Sequence, residues 1–400
     1  MILRHYWPMV RDLSGIVSTV ASQGGNGSSA LPYAPLQAAR VVNRFHATRL
    51  EGHVLAARME TPDTRTLRLA FGPATVPPFM AGQHFTLHVT VDGFETSRPY
   101  TVTSTSGWGD ILEVTVKRHH LGLVSPYLVD RLALGDPVVV SGPDGDDHFN
   151  PLRDTDDLVL LAGGSGITSF VTTVERILAT RPQTRIQLLY GNRTEADIIF
   201  RKRLEGLAAR HPDRFALRLV LSRPPKGWSG DTGHVDGDYV LRTALGTSQD
   251  SPRGLACKTF FVSGPPAMNR QVPAALVALG VRPRRLHVAS PTLPTPDMIA
   301  QIRGWPSGVT SRDTFTVHHG RSGKRLQAQA GESVLQALER AGAANATSCR
   351  AGVCGACRER LVTGEVFTAP GFERRPTDSD AGYIHTCVCF PVSNLTLNSA

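Results

Sequence analysis

Aromatic residues are scarce. Phe, Trp and Tyr make up 6% of the 400 residues, too few for the rows of stacking platforms that hold nucleic-acid bases. The net charge of +9 comes from basic residues scattered along the chain. It reads as a docking or phosphate-handling bias, and no nucleic-acid partner is expected. Long apolar runs are missing too. No stretch reaches the roughly 18–20 residues that cross a bilayer, which excludes a membrane-spanning chain. The signs of disorder are also lacking, since 41% of residues are hydrophobic and 19% charged. At roughly 100–200 residues per domain, the length calls for two to four domains. Cysteine is nearly absent before position 349, where only Cys257 occurs, and the other five lie between Cys349 and Cys389. A secreted disulfide framework would spread its cysteines through a small chain. This C-terminal cluster points instead to a metal and to a reducing, cytoplasmic setting.

Residues 1–39 carry an apolar patch (Tyr6, Trp7, Met9, Val10), but Arg11 and Asp12 interrupt it and no cleavage site follows. Gly24, Gly25, Asn26, Gly27, Ser28 and Ser29 form a flexible tract. The segment reads as a packing arm with a linker. A peripheral contact with a membrane-bound acceptor through Tyr6 and Trp7 stays open.

Residues 40–151 read as short strands over 52–59, 64–71, 85–91, 98–103, 111–117 and 137–141. Pro77-Pro78, Gly82, Asp92-Gly93 and Gly107 punctuate them, the pattern of an antiparallel β-barrel or sandwich. Within it, Arg98-Pro99-Tyr100-Thr101 puts Arg98 and Tyr100 on one strand face and Thr101 on the other. A guanidinium suits phosphate and a phenol stacks on a flat ring. Lys117-Arg118 is followed by Gly122-Leu123-Val124-Ser125. A helix beginning near Ser125 would aim free N–H groups at a pyrophosphate. Taken singly, these are more often a surface pair and a helix cap.

In this order the two motifs resemble the flavin domain of the ferredoxin–NADP reductase superfamily, with Arg-x-Tyr-Ser/Thr and, further on, Gly-x-x-Ser. The resemblance implies that Tyr100 packs on the isoalloxazine, that Thr101 lies by its reactive nitrogen, and that Arg98 holds the pyrophosphate. Lys117 is grouped with these cofactor contacts, and Gly122, Val124 and Ser125 are expected to add backbone or hydroxyl contacts. The Gly-x-x-Ser implies FAD rather than FMN. The loop Gly142-Pro143-Asp144-Gly145-Asp146-Asp147-His148-Phe149 is more acidic than the family's Gly-Pro-x-Gly-x-Phe.

Residues 152–290 alternate strands (157–162, 185–190, 216–222, 259–263) with helices (through about 179, then 200–209 and 268–279), as in an α/β doubly wound fold. The apolar run 157–162 ends in Gly163-Gly164-Ser165-Gly166-Ile167-Thr168, a tight turn that favours backbone and a helix start facing phosphate over a purely structural turn. Gly264-Pro265-Pro266-Ala267-Met268 follows another strand. The superfamily shares both elements, which extends the resemblance to this domain and implies an NAD(P)H site with Thr168 near the nicotinamide. Arg193, after the second strand, and Ser222-Arg223, after the third, are the candidates for ribose contacts. In NADPH-using relatives a Ser-Arg here holds the 2′-phosphate, so NADPH is expected, with NADH as the alternative. Arg201, Lys202 and Arg203 read as a solvated helix face. Pro291, Pro294, Pro296 and Pro306 mark 291–311 as a semi-stiff spacer.

Residues 312–400 carry the strongest signal. Cys349-x4-Cys354-x2-Cys357, with Cys387 after 29 further residues, is the plant-type [2Fe–2S] spacing. Structural zinc takes four cysteines as well, but usually as two short hooks, whereas here the fourth ligand stands apart unless Cys389 joins it as Cys387-x-Cys389. Cys257 and Cys389 read as ordinary buried thiols. A hairpin over 315–318 and 325–328 and a helix over 333–341 complete a likeness to plant-type ferredoxins, an α+β (β-grasp) fold. Ten Lys and Arg against eight Asp and Glu depart from the acidic face usual in free ferredoxins and suit a tailored acceptor.

The parts compose a circuit. Nicotinamide gives two electrons as hydride, a [2Fe–2S] cluster takes one, and a flavin can stand between them. The expected protein is a monomeric reductase with Tyr100, Thr101 and Thr168 around the hydride path. It would feed a separate oxygenase or fatty-acyl desaturase. The alternatives are a self-contained quinone or small-molecule reductase and a redox sensor.

Overall fold

The computed structural model describes residues 47–72, 76–104, 109–119, 124–145, 148–244, 252–255, 257–289, 299–300, 302–343, 347, 350, 352, 355–368, 372 and 376–398. The expected arm at 1–39, Gly122, Cys349 and Cys354 lie outside the described residues.

Six strands come first: β1 (Ala47–Thr61), β2 (Thr64–Ala70), β3 (His84–Val91), β4 (Phe94–Thr101), β5 (Ile111–Lys117) and β6 (Pro137–Asp144). They pair antiparallel in the order β4-β3-β6-β1-β2-β5. Asp92 (φ 51°) and Gly93 (φ 85°) make the two-residue turn between β3 and β4, the left-handed geometry that matches strand twist. β1 is longer than its sequence suggests because two register shifts, at Val54/Ala56 and Met59/Thr61, bend it along β2. Just past β4, Val102 bridges Val114 of β5, and the Thr103 N–H donates to the Glu113 carbonyl at 2.8 Å. These contacts join the edge strands and close the barrel over Leu67, Leu69, Phe85, Leu87, Val114 and Val140, all fully buried.

The helix expected from Ser125 is a short turn, Val124–Pro126, continued by a wider π turn, Tyr127–Arg131. Arg65 explains the stop. Its Nη1 donates to the carbonyls of Leu128, Val129 and Leu132 at 3.3, 3.1 and 2.8 Å, satisfying acceptors a helix end leaves open.

The second sheet holds β7 (Asp157–Gly163), β8 (Arg185–Asn192), β9 (Phe215–Leu221), β10 (Asp231–Thr232), β11 (Thr259–Ser263) and β12 (Leu286–Val288). All run parallel in the order β10-β9-β8-β7-β11-β12. Helices α1 (Val171–Thr180), α2 (Arg201–Arg210), α3 (Gly237–Ala244) and α4 (Pro266–Ala278) connect them. The winding direction reverses between β7 and β11, where such sheets open a crevice at the strand carboxyl ends.

The third unit has β13 (Thr314–His319), β14 (Lys324–Gln329), helix α5 (Val334–Arg340), β15 (Arg358–Thr363), β16 (Val366–Thr368), β17 (Tyr383–His385), β18 (Cys389–Pro391) and β19 (Leu395–Asn398). A mixed sheet of order β14-β13-β19-β15-β17 packs with α5, and β16 pairs with β18. Ser333 caps α5, its hydroxyl accepting from the Gln336 N–H. Ile299 is fully buried in this core, and Ile302 and Trp305 pack against it. Residues 299–311 are therefore not spacer. Apolar anchors outweigh the single proline there, Pro306. No described helix is long and apolar enough to cross a membrane.

Candidate active site

Arg98 and Tyr100 lie opposite the buried Leu87 and Phe85 in the β3–β4 register, and Tyr100 packs against the barrel core. Burial and the nearby Arg350 lower Arg98 to about 10, with Glu339 and Tyr100 opposing the shift, so it stays charged at neutral pH. Burial raises the Tyr100 phenol, which stays neutral. Both hydrogen bonds of Arg98 among the described residues run through Nη1, to Thr96 Oγ1 at 2.9 Å and to the Ser97 carbonyl at 2.7 Å. A charged, largely buried guanidinium with Nε and Nη2 uncommitted there fits an anionic diphosphate. Lys117 pairs with Asp63 of the β1–β2 turn at 3.3 Å. Val124 is buried, and the Ser125 hydroxyl accepts from the His119 N–H at 3.0 Å.

At the reversal between β7 and β11, a Cβ on Gly166 would sit 1.9 Å from the Ser263 carbonyl oxygen, and one on Gly163 would sit 2.6 Å from Pro265 Cδ. Glycine is required here because Gly163-Gly164-x-Gly166 and Gly264-Pro265 press backbone on backbone. Gly164 has φ +53° and open space where a side chain would point, so this turn faces the crevice. The first turn after it is 3₁₀, Gly164–Ser169, and Thr168 Oγ1 donates to the Ser165 carbonyl at 2.9 Å.

Ser222 N–H donates to the Asn192 carbonyl at 3.0 Å and Arg223 N–H to the Arg193 carbonyl at 2.8 Å, so the ends of β8 and β9 run together. Arg223 lines an open pocket of about 550 Å³ with Thr194, Glu195, Ala196, Arg201 and two prolines. The basic run on α2 is a solvated face only in part: Lys202 is exposed, whereas Arg203 turns inward. Arg201 pairs with Glu195 and Glu205. Arg203 pairs with Glu175 at 2.6 Å and donates to the Thr103 carbonyl at 3.1 Å.

Of the four expected cluster ligands, Cys357 and Cys387 are described, 5% and 2% exposed. Arg358 opposite His385 in the β15–β17 register brings them together. Thr386 Oγ1 donates to the Cys357 carbonyl at 2.8 Å. The Cys357 thiol is lowered from its ordinary value, chiefly by its hydrogen bond with Cys387, which sets the two sulfurs side by side. His385 bridges the Gly352 carbonyl and the Asp378 carboxylate, tying the ligand loop to the sheet. Cys389 is buried beside Thr368. Cys257, expected buried, is exposed.

Strand β4 is where the three units meet. Beyond its C-terminal end, the Val102 carbonyl accepts from Thr172 Oγ1 of α1 at 3.3 Å and the Thr103 carbonyl accepts from Arg203 of α2. In its first half, Thr96 and Ser97 meet Glu339, Thr347 and Arg350 of the third unit.

Family models match in the same order: an oxidoreductase FAD-binding domain at residues 52–149, an oxidoreductase NAD-binding domain at 160–273 and a 2Fe-2S iron-sulfur cluster binding domain at 317–392. NADH-cytochrome b5 reductase 1 of Kluyveromyces lactis is 30% identical over 201 residues, half of this chain and 68% of the relative. The chain belongs to the ferredoxin–NADP reductase superfamily. Within it, this reductase is similar along most of its length to a component of the Escherichia coli 1,2-phenylacetyl-CoA epoxidase, 29% identical over 79% of this chain and 87% of the relative. The glycine betaine monooxygenase reductase subunit of Chromohalobacter salexigens is 28% identical over 84% and 92%. The solved phthalate dioxygenase reductase shares the three-part fold, with a TM-score of 0.63 and 22% identity, covering 88% of this chain and 98% of that one. The reductase is therefore an oxidoreductase with FAD, pyridine-nucleotide and [2Fe–2S] domains.

Sequence reasoning missed the residues at the joints. Thr96, Ser97, Glu339 and Arg350 belong to no motif singled out in the sequence, and Tyr190 enters only as the end of the strand expected at 185–190. Only the position of Arg350 beside Cys349 marked any of them.

Proposed function

We propose that this reductase draws electrons from NADPH and delivers them, through FAD and a [2Fe–2S] cluster, to a separate oxygenase or fatty-acyl desaturase. The observation that carries the reading is the placement of β4. The strand bearing Arg98, Tyr100 and Thr101 touches the nucleotide domain beyond one end and the cluster loop along its first half. A flavin held there by Arg98, Tyr100 and Thr101 would supply the conversion from hydride to single electrons.

The chain's residues do the positioning. Arg98 offers a permanent charge to a diphosphate, and Tyr100 offers a neutral ring face. Gly163, Gly164 and Gly166 present backbone at the crevice, with Gly264 and Pro265 across from them. Thr101 and Thr168 lie near the contact between Val102 and α1, on the hydride path. Arg223 and Ser222, with Arg193 beside them, receive the 2′-phosphate. Cys349, Cys354, Cys357 and Cys387 hold the cluster. The acceptor class is supported by the relatives, a component of an epoxidase and the reductase of a monooxygenase. A monomer in the reducing cytoplasm suits the clustered thiols.

The test is reduction by NADPH of the purified holoprotein. The expected result is bleaching of bound flavin and a reduced [2Fe–2S] electron paramagnetic resonance signal, with substrate oxidation only when an oxygenase or desaturase is added. A preparation that contains neither flavin nor inorganic sulfide overturns the reading.

A further inference from the structure

We propose that Glu339 and Arg350 are positioning residues for electron transfer from flavin to cluster, acting across the joint with Thr96 and Ser97. The inference rests on the function proposed above and adds the residues that set one of its steps.

Glu339 lies near the end of α5 and is 7% exposed. A buried carboxylate without partners is costly, and here its two oxygens are divided. Oε1 takes Arg350 Nη2, and Oε2 accepts from Thr96 Oγ1 at 3.2 Å. The same Arg350 nitrogen reaches Thr96 Oγ1 at 3.3 Å and Ser97 Oγ at 3.4 Å. Ser97 Oγ also shares a 2.9 Å hydrogen bond with Thr347 Oγ1. Arg350 holds φ +52°, a strained conformation for a non-glycine residue, one residue from the ligand Cys349.

The hydroxyl of Thr96 is the pivot. It accepts from Arg98 Nη1 at 2.9 Å, so it touches both the guanidinium offered to the flavin diphosphate and the one beside the cluster. Arg350 pairs with Glu339 and Arg98 feels the same carboxylate only through space, which leaves an excess positive charge. An anion at Arg98 balances it, so a bound flavin favours this joint. Buried polar groups with directional partners specify orientation more than they add stability. Orientation is what a transfer between two fixed cofactors requires. The step moves one electron, oxidising the reduced flavin by one equivalent and converting one ferric ion of the cluster to ferrous.

The test uses the full-length holoprotein mixed rapidly with NADPH, following flavin bleaching and, by freeze-quench, the reduced-cluster resonance. Glu339→Gln keeps the shape and removes the charge. Ser97→Ala removes two of the joint's hydrogen bonds, to Thr347 and Arg350, from the flavin side without touching the cluster domain or an Arg98 partner atom. In both variants flavin reduction should stay within about twofold of the parent, while cluster reduction slows by roughly tenfold or more. The g-values of the reduced cluster should be unchanged. Combining the two changes should slow the cluster phase less than the product of the single effects. If Glu339→Gln loses its cluster, Ser97→Ala alone decides. Cluster reduction at the parental rate, or both phases slowing together, overturns the proposal. A parent protein without flavin or cluster overturns the function instead.

Discussion

Tyr190 donates its phenolic hydroxyl to the carbonyl oxygen of Gly164 at 3.0 Å, and the phenolic oxygen in turn accepts the Ile199 N–H at 3.2 Å. The ring is fully buried beneath the crevice, and burial raises the phenol so that it stays a donor. Tyr190 thereby fixes the peptide of a residue at φ +53° in the turn that faces phosphate. Tyr190→Phe removes the bond with little loss of volume. We expect kcat/KM for NADPH and for NADH to fall alike by roughly fivefold, the worth of about one hydrogen bond. A change confined to one nucleotide would contradict this account.

Arg223 makes the contrasting case. It lines the pocket beside Thr194, and the proposed function gives it the 2′-phosphate, a group NADH lacks. Arg223→Ala should cost NADPH about tenfold to a hundredfold in kcat/KM, the range for hydrogen bonds between charged groups, and leave NADH nearly untouched. Steady-state kinetics with both nucleotides check it, and equal losses would remove the 2′-phosphate assignment.

Cys357→Ser should eliminate the [2Fe–2S] resonance while bleaching of the flavin by NADPH persists, because β7, β11 and the barrel make none of their pairings with the third sheet. Iron and sulfide analysis alongside stopped-flow absorbance checks both halves. Loss of flavin reduction as well would show that the units fold as one.

Asp154 fastens the end of the barrel domain to the nucleotide domain. Its carboxylate bonds His287 at 2.9 Å, Arg153 at 3.0 Å and the Asn150 N–H at 2.8 Å. Burial alone would raise it, but these partners together lower it to about 2 from 3.8. A lowered folded-state value contributes stability above the unfolded value, and that contribution is lost as pH falls through the folded one. The loss should therefore run between about pH 4 and 2 and, after solvent screening, amount to roughly 1–2 kcal/mol. Asp154→Asn should flatten that limb of a urea-unfolding stability profile. An unaltered acid limb would reject the assignment.

The elements were legible where composition and period agree. The apolar run that became β7, the glycines after it and the cysteine spacing each have one economical physical reading. Fold and cofactor classes follow from those local signals. The joints were not legible. Glu339 acquires meaning only when α5 is laid on β4, and Arg203 only when α2 meets Thr103. Both are long-range pairings that no local pattern encodes. Residues 299–311 misled for a related reason, since Pro306 is a local cue whereas the burial of Ile299 depends on a surface formed by residues after it in the chain.

The hairpin turn Asp92-Gly93 sets the register of β4, and side chains along a strand alternate. One inserted residue between Gly93 and Thr96 would turn Arg98 and Tyr100 to the opposite side of the barrel wall. The same slip would withdraw Thr96 and Ser97 from the cluster loop. Intake and output of the circuit are thus geared to a single strand, and evolution can vary its letters more freely than its length.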